Sequence, residues 1–121
     1  MAYADTDFFL ALIKEEDWLK SDARKILEEY EGDIWTSIVT VLEISLLCKR
    51  EGIDIERAMV DLVQIAELKG VELDNVFKAI DYIEKDGLNV FDAFHASFCS
   101  DDKIISSDKA FDKVLDERIE L

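Results

Sequence analysis

Four carboxylates in this sequence sit where carboxylates are costly. Residues 36–48 read TSIVTVLEISLLC, and Glu43 is the sole formal charge among them. Residues 87–100 read GLNVFDAFHASFCS, with Asp92 equally isolated. Asp5 ends the stretch MAYA and precedes TDFFLALI, and Asp108 closes the strand-like IISS. A lone carboxylate among apolar residues costs several kcal/mol unless it is paired, protonated or bound to a cation. None of the three apolar runs carries its own Lys or Arg. Taken singly, each acid has an ordinary explanation as an ion-pair partner of a distant base or as a cap. Asp92 also suits the first turn of a helix, where the dipole favours an acid. Taken together, four such acids meeting at one place would repel one another unless a cation lay between them. An all-oxygen shell suits Mg²⁺ or Mn²⁺. A cation there orients water, lowers its pKa and neutralises phosphate charge, so phosphodiester hydrolysis is the implied reaction class.

Convergence needs a scaffold, and the apolar spacing supplies one. Short apolar stretches at Met1 to Asp5, Ile34 to Ser37, Val71 to Leu73, Lys103 to Ser106 and Arg118 to Leu121 read as strands. Between them, helical periodicity predicts helices over Thr6–Lys14, 18–31, 38–50, a segment marked by Ile55, Ala58, Met59, Leu62 and Ala66, a segment capped by Asp74 and ending at Gly87, 90–100 and 109–116. Short apolar strands alternating with helices imply an α/β fold: a three-layer α/β/α sandwich around a mostly parallel sheet of four to five short strands. Such sheets bind ligands at the carboxyl ends of their strands. Asp5 and Asp108 fall at predicted strand ends. Glu43 and Asp92 are expected in the first turns of helices facing that same rim.

The totals narrow the class. A chain of 121 residues, half of them hydrophobic, supports one domain over residues 1–121 with a proper core. It has no Pro, four Gly and no repeat or low-complexity segment that would mark a linker. No apolar run approaches the roughly 18–20 residues that span a bilayer, and the N-terminus lacks the basic region of a signal peptide. A cytoplasmic protein without membrane contact is the resulting expectation. Cys48 and Cys99 lack CxxC spacing and read as buried thiols, with a disulfide between them left open. The net charge of −15, from 29 acids against 14 bases, has the wrong sign for a protein gripping phosphates with its own side chains. A bound cation would ease that conflict. Most acids, including Glu15, Glu16, Asp17, Glu28, Glu29, Asp54 and Glu84, read as solvated surface.

Other chemistry-bearing residues have ordinary readings. His95 shares a helical stripe with Phe91, Phe94 and Phe98 and reads as a packed core or interface histidine. Trp18 and Trp35 are expected in core or interface packing. Lys14, Lys49, Arg50, Lys109 and Lys113 are the bases available to a phosphate backbone, and they are scattered.

The order of motifs resembles the PIN-domain family, including VapC-type toxins, across essentially the whole chain. Asp5-Thr6 follows the first strand, Glu43 lies in TVLEISLL, Asp92 in FDAFHAS, and Asp108 and Phe111 in ISSD-x-x-F. Each motif is short, but four in this order make a specific pattern. The resemblance implies a Mg²⁺- or Mn²⁺-dependent ribonuclease with Asp5, Glu43, Asp92 and Asp108 as its catalytic and metal-binding quartet. It implies supporting roles for Thr6 and Ser106, with Asp7 and Asp112 as candidates for assistance. It also implies an RNA substrate, a small antitoxin partner and a homodimer. Two alternatives stand beside it. One is an inactive PIN or receiver-like binding module, which would show no metal-dependent cleavage. The other is a haloacid-dehalogenase-like phosphatase, suggested by Asp5-Thr6-Asp7, although Phe9 stands where that family has Thr.

Overall fold

The computed structural model describes residues 1–14, 17–70 and 72–121. Glu15, Glu16 and Val71, and with them the surface reading of those two acids and the start of the expected Val71–Leu73 strand, lie outside the described residues. The elements run β1 (Ala2–Ala4), α1 (Thr6–Ile13), α2 (Lys20–Glu29), β2 (Ile34–Thr36), α3 (Ile38–Glu51), α4 (Ile55–Ile65), β3 (Glu67–Leu68), α5 (Leu73–Asp86), α6 (Val90–Cys99), β4 (Lys103–Ser106), a 3₁₀ turn α7 (Lys109–Lys113) and β5 (Arg118–Glu120).

The five strands form one parallel sheet in the order β3-β2-β1-β4-β5. From β1 the chain steps outward through β2 and β3, then returns to lay β4 on β1's other side. The order therefore reverses between β1 and β4, and the crevice beyond their carboxyl ends is where an open α/β sheet accepts a ligand. Asp5 follows β1, and Ser107 and Asp108 follow β4.

Strand alternation explains the two cores. Ala2, Ala4, Ile34 and Ile105 point to one face, where they pack with Phe8, Phe9, Ala23, Ile26, Ile44 and Leu62 from α1 to α4. Tyr3, Trp35 and Ile104 point to the other, against Ala79, Ala93, Ala96, Phe98 and Phe111. Each fully buried Phe or Ile contributes about 1.5–3 kcal/mol relative to exposure. The strands are apolar on both faces because helices cover both, which is the expected sandwich. Cys48 packs in the first core and Cys99 in the second, both as free thiols, so they form no disulfide.

Several local expectations shift. The third strand is Glu67–Leu68, paired with Trp35 and Thr36, and Leu73 opens α5. Asn75 accepts a hydrogen bond from the Glu72 backbone N–H at 2.9 Å, so the helix starts two residues before the predicted cap Asp74 would allow. Residues after Asp108 form a 3₁₀ turn rather than a longer helix. Trp18 is 86% exposed and its neighbour Leu19 enters the core, so of its two expected places only an interface is left. Trp35 is buried, edge-on to Tyr3, with its indole N–H donating to Asp102 at 2.7 Å. Gly52 and Gly87 end α3 and α5 at φ 73° and 70°, a left-handed cap that suits glycine.

Candidate metal centre

Asp5 is placed by the abrupt passage from β1 into α1. It is the N-cap of α1, and its Oδ1 accepts from the Thr6 N–H at 2.6 Å. Its Oδ2 accepts from Ser106 Oγ at 2.8 Å, tying β1's end to β4's. Only 6% of Asp5 is exposed. That burial pushes its carboxyl up to about 7, with the Asp7 charge adding to the rise and His95, Ser106 and the Thr6 N–H opposing it.

Glu43 reaches the same spot from α3, from that helix's second turn rather than its first. Thr6 Oγ1 donates to Glu43 Oε1 at 2.8 Å, and His95 Nε2 makes a short hydrogen bond to the same oxygen. His95 Nε2 also lies 3.2 Å from Asp5 Oδ1 and 3.3 Å from Thr6 Oγ1. One ligand atom from each of Asp5, Glu43 and His95 falls within 4.8 Å of the other two. Burial alone would lower the His95 pKa, but the Glu43 hydrogen bond and the charges of Asp5, Glu43 and Asp92 raise it.

Asp92 is the third residue of α6, in its first turn as expected. Asn89 caps that helix and donates to Asp92 Oδ2 at 2.7 Å. Burial, then the facing Asp108 carboxylate, pushes Asp92 up to about 6, against the Asn89 hydrogen bond. Asp108 is exposed on the rim. Its backbone N–H donates to Ser106 Oγ at 3.0 Å, and its Oδ1 caps α7 by accepting from Ala110 N–H at 2.8 Å.

Asp7 belongs to this neighbourhood more closely than its sequence position suggests. Its Oδ2 accepts from the backbone N–H of Ser107 at 2.9 Å and from the Ser107 hydroxyl. Its Oδ1 is buried without a partner among the described residues. Burial raises its pKa against the Ser107 hydrogen bonds, with Asp108 adding repulsion. Asp112 is drawn elsewhere. Arg118 grips its carboxylate through Nε at 2.9 Å and Nη2 at 3.2 Å and holds it below the usual range, which ties α7 to β5.

His95 is fully buried, as a packed histidine should be, but its partners are Tyr3, Thr6, Asp5 and Glu43 rather than the phenylalanine stripe. Its approach to Glu43 depends on the packing of α3 against α6, which no local pattern encodes. The usable signal was a lone polar ring three residues after the isolated Asp92.

The family model for the PIN domain matches residues 2–116. The chain belongs to the PIN-domain family. Solved structures repeat its fold. The toxin VapC20 of Mycobacterium tuberculosis, which cleaves the sarcin–ricin loop, superposes with a TM-score of 0.80 at 18% identity, over 100% of this chain and 98% of that one. A toxin–antitoxin complex from Klebsiella pneumoniae gives 0.77 at 16% identity, over all of both chains. VapBC2 of Rickettsia felis, bound to a promoter DNA fragment, gives 0.68 at 16% identity, over 99% of this chain and 98% of that one. No curated protein sequence matches the chain.

In this PIN domain the donor chemistry fits a hard divalent cation. Asp5 and Asp7 are carboxylates withdrawn from water whose burial disfavours their charged forms, and an Asp7 oxygen has no donor among the described residues. A cation held by Asp5 and Glu43 would stabilise the charged form of Asp5 and offset its repulsion with Asp7. Among the described residues no helix is long and apolar enough to cross a membrane.

Proposed function

We propose that this PIN domain is a Mg²⁺- or Mn²⁺-dependent ribonuclease whose metal is held by Asp5, Glu43, Asp92 and Asp108. The observation that carries the reading is the meeting of Asp5 and Glu43, from different elements, on one buried imidazole at the sheet's switch point. Asp92 and Asp108 stand outside that tightest group and face each other beside it.

The cation, when bound, supplies a water of lowered pKa and charge neutralisation for the phosphate. The chain's own groups prepare for it. Ser106 and the Thr6 N–H fix the two oxygens of Asp5, Thr6 and His95 fix Glu43, and Asn89 fixes Asp92. Pinned carboxylates lose little freedom when a ligand arrives, which strengthens binding. Asp108, exposed at the rim, lies where a phosphate would enter.

The PIN fold shared with toxin–antitoxin proteins supports a toxin role in the cytoplasm with a small antitoxin protein as inhibitor. An apolar face formed by Ile38, Leu42 and Leu46 of α3 with Val90 and Phe91 of α6 is exposed, and it supports a homodimer.

The test is labelled RNA, beside DNA of the same sequence, incubated with Mn²⁺, Mg²⁺ or EDTA and with wild type or Asp92→Asn. Cleavage of RNA by wild type alone, and only with metal, is expected. Metal binding without cleavage of any RNA offered would instead mark an inactive binding module.

A further inference from the structure

Tyr3 lies in the central strand, facing away from Asp5's neighbour Ala4, and its hydroxyl is spoken for on two sides. Tyr3 Oη is 2.8 Å from Ser37 Oγ and 2.7 Å from His95 Nδ1. All three side chains are fully buried. Burial holds the Tyr3 phenol far above its usual pKa, so it remains a hydroxyl.

Proton counting gives these contacts a direction. His95 Nε2 faces Glu43 Oε1, Asp5 Oδ1 and Thr6 Oγ1. Thr6 has already donated its hydroxyl proton to Glu43, and Asp5 Oδ1 already accepts from the Thr6 N–H. With the carboxylates ionised, as at the alkaline pH of the test below, they only accept, so the proton in this contact sits on Nε2. In a neutral ring Nδ1 then carries the lone pair, Tyr3 donates to it, and Ser37 donates to Tyr3. Every link runs the same way, from Ser37 through Tyr3 and His95 onto Glu43.

We propose that Tyr3 and Ser37 are positioning residues that hold His95 with a proton on Nε2, aimed at Glu43 and Asp5, so that His95 orients the metal-binding carboxylates and is not itself a ligand. This rests on the metal-centre reading above. The consequence is selectivity: with the imidazole nitrogen occupied by a proton, the centre offers only oxygen and suits Mg²⁺ or Mn²⁺. A free Nε2 would add the nitrogen donor that Zn²⁺ favours.

The chain has a single histidine, so ¹⁵N–¹H correlation spectra of the labelled protein contain one imidazole pattern. At pH 8.5, in EDTA and again with saturating Mg²⁺, Nε2 is expected to show a proton-bearing shift and Nδ1 a lone-pair shift, and protons on both nitrogens would overturn the stated direction through Tyr3. A lone-pair shift at Nε2 in either condition overturns the assignment. Tyr3→Phe removes the partner of Nδ1 while keeping the ring's bulk. It is expected to leave the proton on Nε2, to move the Nδ1 resonance as its hydrogen-bond donor is lost, and to weaken Mg²⁺ binding about tenfold or more by calorimetry, the usual cost of losing an outer-shell partner. Ser37→Ala, which leaves Tyr3 in place, is expected to weaken Mg²⁺ in the same direction by less. An unchanged imidazole pattern with unchanged Mg²⁺ affinity in Tyr3→Phe overturns the positioning role. If wild type binds no Mg²⁺ the metal-centre reading fails and the metal-holding role with it, while the spectrum in EDTA still decides the direction of the chain.

Discussion

Metal-free protein is predicted to lose stability as pH rises through neutrality, which is unusual for a carboxylate-rich site. Asp5 ionises at about 7 when folded, against an ordinary value of 3.8. A carboxyl raised in this way binds more protons folded than unfolded between those two values, so its contribution to stability falls as pH climbs from 4 to 7. Between pH 5.5 and 8.5 the loss from Asp5 alone is about 2 kcal/mol. His95 is raised too, and a raised base likewise loses its stabilisation as pH rises through its folded pKa, so the two add in sign. At roughly 3–5 °C per kcal/mol for a domain of this size, the Asp5 part corresponds to a drop of about 6–10 °C in Tm. Thermal unfolding in EDTA, followed by circular dichroism at pH 5.5, 7 and 8.5, reads it directly. Asp5→Asn cannot ionise and is expected to lose about 2 kcal/mol of that slope. Saturating Mn²⁺ is expected to stabilise wild type more at pH 8.5 than at 5.5, because protons and cation compete for the same oxygens. The reasoning is refuted if wild-type stability in EDTA rises between pH 5.5 and 8.5, or if Asp5→Asn keeps the full slope.

Asp92→Asn is expected to abolish metal-dependent RNA cleavage while leaving Tm in EDTA unchanged or raised, because it removes repulsion from Asp108; a large drop in EDTA would mark Asp92 as structural. Asp112→Asn removes a charge that pairs with Arg118 at the sheet's edge, away from the metal-binding acids, so a small loss of stability by denaturant unfolding and cleavage within about twofold of wild type are expected. Phe111→Ala empties a fully buried position beneath the Asp108 loop, and equilibrium unfolding should show a loss of about 3–5 kcal/mol.

The sheet was readable because each strand is a short apolar stretch whose residues pack on both faces, as Tyr3 and Ile104 do opposite Ala4 and Ile105. Asp5 and Glu43 were readable for the opposite reason: a charge among apolar neighbours stands out in one dimension. What escaped were properties made by contacts between distant segments. His95 gains its place from Tyr3 on β1 and Glu43 on α3, and Asp7 from Ser107 beyond β4. Asp112, a candidate for assistance only through the family resemblance, is drawn away by Arg118, which arrives on β5. The third strand shifted because its pairing with Trp35 and Thr36, not its own apolar content, selects Glu67 and Leu68.

Anomalous diffraction from crystals grown with Mn²⁺ tests the central claim most directly. A peak is expected at the carboxyl ends of β1 and β4, in coordination contact with oxygens of Asp5 and Glu43 and without His95 in the shell. A crevice that stays empty at saturating Mn²⁺, or a Lys or Arg clasping these acids in its place, would contradict it.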